Sequence, residues 1–183
     1  MEKCKRVFNN EDYNSGDGML TSIWGPPMWH SLHCISFNYP VNPNHKQKRD
    51  YYNYFLSIGN ILPCKYCRDN FKNNIKKVPL TMKTMENRYS LSLWLYELHE
   101  EINRMLGKKS NLTYEEVRNR YEMFRARCID DKKQKKTKKI SKLKEKGCVK
   151  PLYGVKSKCI LKVVPRKKKC TSFSIDEKCK LHR

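Results

Sequence analysis

The sequence predicts an all-α protein: a four-helix bundle plus a short fifth helix, with a basic, mostly irregular C-terminal extension. Apolar residues recur at helical spacing in five stretches, and no stretch alternates in the manner of a half-buried strand. The formal net charge of +22 divides unevenly, with +7 over residues 1–129 and +15 over residues 130–183. We therefore expect a flexible N-terminal arm (1–22), a helical domain (23–129) and a basic, cysteine-containing tail (130–183).

The first two helices follow from prolines and apolar spacing. In "IWGPPMWHSLHCISFNYP", Pro26 and Pro27 suit the first turn of a helix, which is predicted to end near Tyr39 and Pro40. The next segment, "VNPNHK", has the composition of a loop. The second helix is predicted in "RDYYNYFLSIGNILP", where five apolar residues fall at helical spacing: Tyr51, Tyr54, Phe55, Ile58 and Leu62.

Three further helices are predicted after Pro63. A short one covers "CKYCRDNFKNNI", and the clearest one has an apolar face that ends at Gly107, a residue type typical of helix C-caps. That face consists of Leu91, Leu95, Leu98, Ile102, Met105 and Leu106. The fifth helix begins at Thr113, which together with Glu116 has the spacing of a capping box. The tail regains some β-branched residues after its charge run, which predicts a small hairpin there.

Nine cysteines are many for 183 residues, and their context decides how they are interpreted. No charged start precedes an apolar run of the kind found in signal peptides, and no apolar run is long enough to span a bilayer. We therefore expect a soluble, cytoplasmic protein without a membrane partner. In that setting, metal binding or thiol redox chemistry is a better interpretation than a secreted disulfide framework.

The motif "LPCKYCRDNF" contains the only Cys-x-x-Cys pair, Cys64 and Cys67. A structural zinc site needs four ligands, usually from two such pairs, and the tail cysteines are spaced too widely to provide the second. His30, His33 and Cys34 are candidates to complete a site, but no spacing motif unites them with the pair. Zinc is therefore the less favoured interpretation.

Redox chemistry remains open for the same pair. The usual thioredoxin-like context is a βαβ pattern, which this sequence lacks. A Cys-x-x-Cys at a helix start still favours the thiolate form, because unpaired backbone N–H groups lie there and Lys65 and Arg68 add positive charge. Such a dithiol needs an electron acceptor, and an all-α scaffold with buried aromatic residues could hold an aromatic cofactor.

Three blocks in order carry a family resemblance: "MWHSLHCISFNYP", "LPCKYC" and "WLYELHEEINRMLGK". They resemble the Erv/Alr family of FAD-linked sulfhydryl oxidases over residues 24–124, and most closely its members from large cytoplasmic DNA viruses. The resemblance implies a helical bundle that binds FAD, an FAD-binding sulfhydryl oxidase domain over residues 23–129, and a homodimer. Cys64 and Cys67 would be catalytic, with Cys67 next to the flavin and Cys64 open to the incoming thiolate.

The resemblance also implies a set of cofactor-binding residues, position by position. From the first and third blocks these are Gly25, Trp29, His33, Tyr39, His99, Ile102, Asn103 and Lys108, and the aromatic residue after the lysine is Tyr114, with Tyr121 as the other candidate. Two positions depart from the family pattern. Glu100 stands where the family has asparagine, and Tyr96 stands where many cellular members begin a bracing disulfide. In isolation, Trp29, His33 and His99 would more often be core residues than ligands, so only their joint occurrence favours the cofactor role.

The predicted function is therefore an FAD-dependent sulfhydryl oxidase that forms disulfides in protein dithiols and passes electrons through flavin to O2, giving H2O2. The alternative is a zinc-braced, basic nucleic-acid-binding protein, since the lysine clusters of the tail suit non-specific phosphate contact. Cys4 and the tail cysteines are candidates for a second, mobile thiol pair, with a tail cysteine slightly favoured. If the protein is viral, we expect it in the host cytoplasm or the virion.

Overall fold

The computed structural model describes residues 8–129, 147–171 and 174–180. Within these ranges the chain is mostly helical, which confirms the predicted fold class. Cys4 and the charge run over residues 130–146 lie outside the described residues. No helix among the described residues is both long and apolar enough to cross a membrane.

The chain divides into two compact units, Met1–Leu112 and Thr113–Arg183, and the following elements lie in their described residues. The first contains five helices: α1 (Asn10–Asn14), α2 (Thr21–Phe37), α3 (His45–Ile61), α4 (Lys65–Lys77) and α5 (Arg88–Met105). The second contains α6 (Tyr114–Glu122), the strands β1 (Ala126–Ile129) and β2 (Gly147–Pro151), and a 3₁₀ helix (Glu177–Cys179). The division between these units lies before α6, and the domain boundary after residue 129 stays a prediction.

The helices begin where side chains can satisfy unpaired backbone N–H groups. Asn44 caps α3, Asn87 caps α5 and Thr113 caps α6, each in a reciprocal capping box. The Thr113–Glu116 prediction is thereby confirmed. Gly107 follows α5 at φ +65, the left-handed conformation that the sequence predicted for a glycine after the helix.

The start of α2 differs from the prediction. The helix begins at Thr21, so Pro26 and Pro27 lie inside it and not in its first turn. Each proline lacks the N–H that would bond the carbonyl four residues earlier, and those carbonyls belong to the exposed residues Ser22 and Ile23. Water can solvate exposed carbonyls, which explains why the helix continues through both prolines.

The core of the first unit forms where α2 packs on α5 and α4 packs on both α3 and α5. Phe55 lies edge-on to Trp94, and the Trp94 indole N–H donates to the Val78 carbonyl. On α3, Gly59 faces Phe71 so closely that a Cβ would lie 2.5 Å from the ring, so only glycine allows this approach of α3 and α4. The buried cluster comprises Leu32, Tyr39, Phe55, Ile58, Leu62, Phe71, Leu80, Met85, Leu91, Trp94, Leu95 and Leu98.

The second unit contains a strand pair that the sequence only partly predicted. β1 and β2 pair antiparallel, with Ala126 opposite Pro151. We predicted a hairpin within the tail alone, but β1 lies in the helical domain predicted over residues 23–129. Gly154 lies against Cys179 at φ +63, and Cys148 is disulfide-bonded.

Candidate functional site

The Cys-x-x-Cys pair lies at the N-terminus of α4, as the sequence predicted. Cys64 is the N-cap residue, and its Sγ accepts a hydrogen bond from the backbone N–H of Cys67 at 3.3 Å. Both sulfurs are free thiols in this structure, and both residues are half-buried. The N–H groups and the positive end of the helix dipole stabilise negative charge at this position, so the motif suits thiol–disulfide chemistry.

The environment of Cys67 differs from that of an exposed thiol. Burial raises its pKa to about 12, with further contributions from the neighbouring Cys64, while the Arg68 guanidinium acts in the opposite direction. Cys67 also packs against the hydrophobic core cluster. In the reduced dithiol, Cys67 therefore keeps its proton at neutral pH.

A second group of side chains connects α2 and α5. Trp29 and His33 are one helical turn apart on α2, and His99 on α5 stacks on the Trp29 indole with centroids 3.9 Å apart and 4° between the planes. The Nε2 atom of His33 lies 3.1 Å from the Nδ1 atom of His99, within hydrogen-bonding distance. The structure thus brings together three residues that the sequence selected from positions up to 70 apart.

Both histidines of this group are neutral near pH 7. Burial lowers the pKa of His33 to about 3, with smaller contributions from His99 and His30. Burial likewise lowers the pKa of His99 to about 4, although Glu100 opposes the shift. Neutral imidazoles share one proton in the His33–His99 hydrogen bond and present no buried charge to a planar aromatic ligand.

The other predicted residues on α5 lie on or next to the same helix end. Ile102 packs against the hydrophobic core, and the Asn103 side chain donates to Glu100 Oε1 at 3.0 Å. Glu100, the departure from the family pattern, therefore holds the asparagine one turn away. Lys108 is exposed, its N–H donates to the Asn103 carbonyl, and its charge reaches His99.

Three predicted residues have different surroundings. Gly25 is half-buried, and apart from its chain neighbours and the nearby backbone of its own helix no atom lies within 4 Å of the place a Cβ would occupy. Tyr39 is fully buried, and its hydroxyl donates to the Met85 carbonyl at 2.9 Å, so the structure does not bring its ring to the Trp29–His99 stack. Tyr114 is the first residue of α6, in the second unit, and is half-buried there. Their cofactor roles stay predictions.

The sequence missed one structured segment next to the thiols. We predicted a flexible arm up to residue 22, but residues 10–19 form α1 and then an irregular stretch with one bridge at Gly18, and we call residues 10–19 the N-terminal clasp. Gly18 pairs with Cys64 in an antiparallel bridge, and the Met19 N–H donates to the Pro63 carbonyl at 2.9 Å. The capping box of Asn9 and Asp12 was the signal in the sequence that could have revealed α1.

Two further observations concern other sites. No group of three or more histidine, cysteine, aspartate or glutamate side chains among the described residues is arranged to hold a metal ion, so the zinc alternative gains no support there. A cavity of about 450 Å³ lies beside α5 and contains none of the predicted site residues. It is lined by Lys77, Val78, Pro79, Thr81, Lys83, Thr84, Tyr89, Ser90, Leu93, Trp94 and Glu97.

Comparison with known proteins points to one family. The model of the Erv1 / Alr family matches residues 26–122, more than half of the chain. A probable FAD-linked sulfhydryl oxidase of Acanthamoeba polyphaga mimivirus is 38% identical over 99 residues, which cover 54% of this chain and 68% of the relative. An FAD-linked sulfhydryl oxidase of African swine fever virus (isolate Pig/Kenya/KEN-50/1950) is 30% identical over 107 residues, covering 58% of this chain and 87% of the relative.

A solved structure agrees in fold. The crystal structure of the yeast Erv1 core superposes with a TM-score of 0.51 at 22% sequence identity, covering 66% of this chain and 94% of that chain. At this identity the likeness concerns the arrangement of the helices alone.

Proposed function

The chain belongs to the Erv1/Alr family, and on that premise we propose that it is an FAD-linked sulfhydryl oxidase that forms disulfides through Cys64 and Cys67. The observation that carries the proposal is the pair of thiols itself. They lie at a helix N-terminus within the family domain, and Cys67 packs on the same core as the Trp29–His99 stack. The descriptions of the viral relatives as FAD-linked sulfhydryl oxidases support the same activity.

The residues present fit a planar aromatic cofactor. The Trp29–His99 stack supplies an aromatic wall, and the neutral His33 imidazole can donate or accept a hydrogen bond. Gly25 leaves open space where a side chain would otherwise project. We propose that the following residues hold FAD: Gly25, Trp29, His33, Tyr39, His99, Ile102, Asn103, Lys108 and Tyr114. When bound, FAD accepts two electrons from the dithiol and delivers them to O2, which yields H2O2.

The two cysteines have different roles in the proposed thiol–disulfide exchange. A substrate thiolate attacks Cys64 Sγ of the Cys64–Cys67 disulfide, which forms a mixed disulfide and releases Cys67 with the electron pair of the broken bond. The second substrate thiol then attacks the substrate sulfur of the mixed disulfide and releases Cys64. The substrate is oxidised to a disulfide, and the pair is reduced to two thiols that carry the two protons.

The partners follow from the same proposal. We expect protein dithiols as substrates, O2 as the electron acceptor, a homodimer as the assembly and the host cytoplasm as the location. The basic tail, with its net charge of +15, suits non-specific contact with nucleic acid, and weakening of that contact by salt would test it.

Single cysteine variants of the FAD-loaded full chain test the function. Cys67→Ser is expected to abolish oxygen consumption with dithiothreitol while the purified protein remains yellow, because the serine cannot form the disulfide. Cys159→Ser is the matched control, since Cys159 is an exposed free thiol in the second unit, and it should retain full activity toward dithiothreitol. Full activity of Cys67→Ser, or a colourless wild-type protein that contains stoichiometric zinc, would refute the proposal.

A further inference from the structure

The N-terminal clasp is fastened to the redox motif at both ends. At its first end, the Arg68 guanidinium donates to the carbonyls of Tyr13 at 2.9 Å and Leu62 at 2.8 Å, and it lies over the Tyr13 ring at 4.3 Å from the centroid. At its second end, Met19 bonds the Pro63 carbonyl through its N–H and accepts a hydrogen bond from the Trp24 indole at 3.0 Å. Arg68, in the first turn of α4, therefore connects that turn to the first end of the clasp.

Between these fastenings the clasp lies directly against Cys64. A Cβ on Gly18 would lie 2.8 Å from the Pro63 carbonyl oxygen and 3.6 Å from Cys64 Cβ. The backbone of Gly18 therefore occupies one flank of the Cys64 side chain, and a large molecule cannot approach the sulfur from that side. Lys65, the next residue along the chain, is exposed.

We propose that the N-terminal clasp forms one wall of the entrance to Cys64 and that Arg68 is the positioning residue that holds it there. The inference deepens the proposed function, since it identifies what restricts the thiols that reach Cys64. Small dithiols and thiols on extended, accessible segments pass the wall, whereas thiols close to the bulk of a folded protein are disfavoured. When the hold of Arg68 is lost, the entrance widens.

Alkylation of the reduced full chain under nitrogen measures this access without turnover. The rate constants for N-ethylmaleimide and for a polyethylene-glycol maleimide of several kilodaltons share one chemistry and differ only in size. Trypsin cleaves after Lys65, so mass spectrometry separates Cys64 from Cys67. The exposed Cys159 is the internal reference for an unhindered thiol. The large-to-small ratio is the rate constant for the polyethylene-glycol maleimide divided by that for N-ethylmaleimide. This ratio should be about fivefold lower at Cys64 than at Cys159, because native contacts open only transiently.

Variants at both sides of the fastening test the role of Arg68. Arg68→Met and Tyr13→Ala should each raise the large-to-small ratio at Cys64 about threefold, and the double variant should resemble either single variant because the two residues act in one contact. Tyr13 lies on the exposed clasp, so Tyr13→Ala keeps the test valid if Arg68→Met fails to fold. Lys72→Met removes one exposed charge from the same helix and should leave the ratio unchanged.

Activity measurements distinguish a failure of this proposal from a failure of the proposed function. In the two fastening variants, kcat/KM for a reduced, unfolded protein should rise about threefold relative to kcat/KM for dithiothreitol, since only the large substrate meets the wall. If the alkylation ratio at Cys64 is unchanged in Tyr13→Ala, or rises equally in Lys72→Met, the proposal that the clasp restricts access to Cys64 is refuted. Absence of all thiol oxidation in the wild-type protein would instead refute the proposed function. The alkylation ratios would then still test whether the clasp restricts access to Cys64.

Discussion

The Trp29 indole and the His99 imidazole lie face to face, 3.9 Å apart and within 4° of parallel, although 69 residues separate them in the chain. Neither residue alone distinguishes a cofactor site from a core. Together with the His33–His99 hydrogen bond, the stack joins α2 to α5 through aromatic and polar side chains.

Replacement of Trp29 tests whether this stack holds the cofactor. Trp29→Ala should weaken FAD binding about tenfold or more, because stacking on an aromatic side chain contributes about 1–3 kcal/mol. Trp29→Phe keeps an aromatic face and should retain affinity within about threefold of the wild-type value. Flavin retained after desalting and the dissociation constant from flavin fluorescence measure both. Unaltered affinity of Trp29→Ala would place FAD elsewhere.

The lowered pKa values of His33 and His99 predict acid sensitivity. The unfolded chain binds protons at these residues near pH 6.5, whereas the folded chain binds them only near pH 3 and 4. The free energy of unfolding is therefore intact above pH 6.5 and falls as pH decreases below it, by about 1 kcal/mol per pH unit for each histidine. Urea unfolding between pH 7 and about pH 5 measures the loss.

Two variants identify the origin of that acid sensitivity. His33→Gln cannot be protonated and should reduce the pH slope, whereas His45→Gln, at an exposed position, should keep the wild-type slope. Equal slopes in all three proteins would show that His33 is protonated equally readily in both states.

Removal of the Tyr39 hydroxyl tests whether this residue serves the core. Tyr39→Phe leaves the buried Met85 carbonyl without its partner and should lower the free energy of unfolding by about 1–2 kcal/mol. Tyr54→Phe is the control, because Tyr54 is 41% exposed and water replaces the lost hydroxyl. The FAD affinity of Tyr39→Phe examines the separate prediction that this residue lines the cofactor. Equal stability of the two variants would contradict the structural role.

The raised pKa of Cys67 predicts slow modification of the reduced protein. Because the thiolate is the reactive form, Cys67 should react with iodoacetamide at least about tenfold more slowly than Cys159 between pH 7 and about pH 9. Peptide mass spectrometry after timed quenching measures the two rates. The rate at Cys67 should still be rising at the upper end of that range. A plateau near neutral pH would show a thiolate already formed.

Local sequence patterns predicted several features of the fold. The apolar face of α5, Gly107 after it and the capping box at Thr113 depend on residues within one or two turns. The structure confirms all three, except that Leu106 lies beyond the end of the helix and is 49% exposed. The start of α2 was mispredicted because solvation of the backbone outweighs the local preference of proline. Helix α1 was missed although its capping box at Asn9 and Asp12 is a local signal, whereas the contacts of residues 10–19 with Pro63 and Arg68 join distant parts of the chain.

The sequence by itself determined the helical class and the Cys-x-x-Cys at a helix start, because periodicity and motif spacing are local properties. The cofactor-binding residues came from the family resemblance and stay predictions. Only the tertiary structure decided that Trp29 and His99 stack, that Tyr39 turns into the core and that residues 10–19 lie against Cys64. The physical reason is the same in each case. Burial and hydrogen bonding depend on which residues from distant parts of the chain pack against a side chain, and a local sequence pattern does not specify those residues.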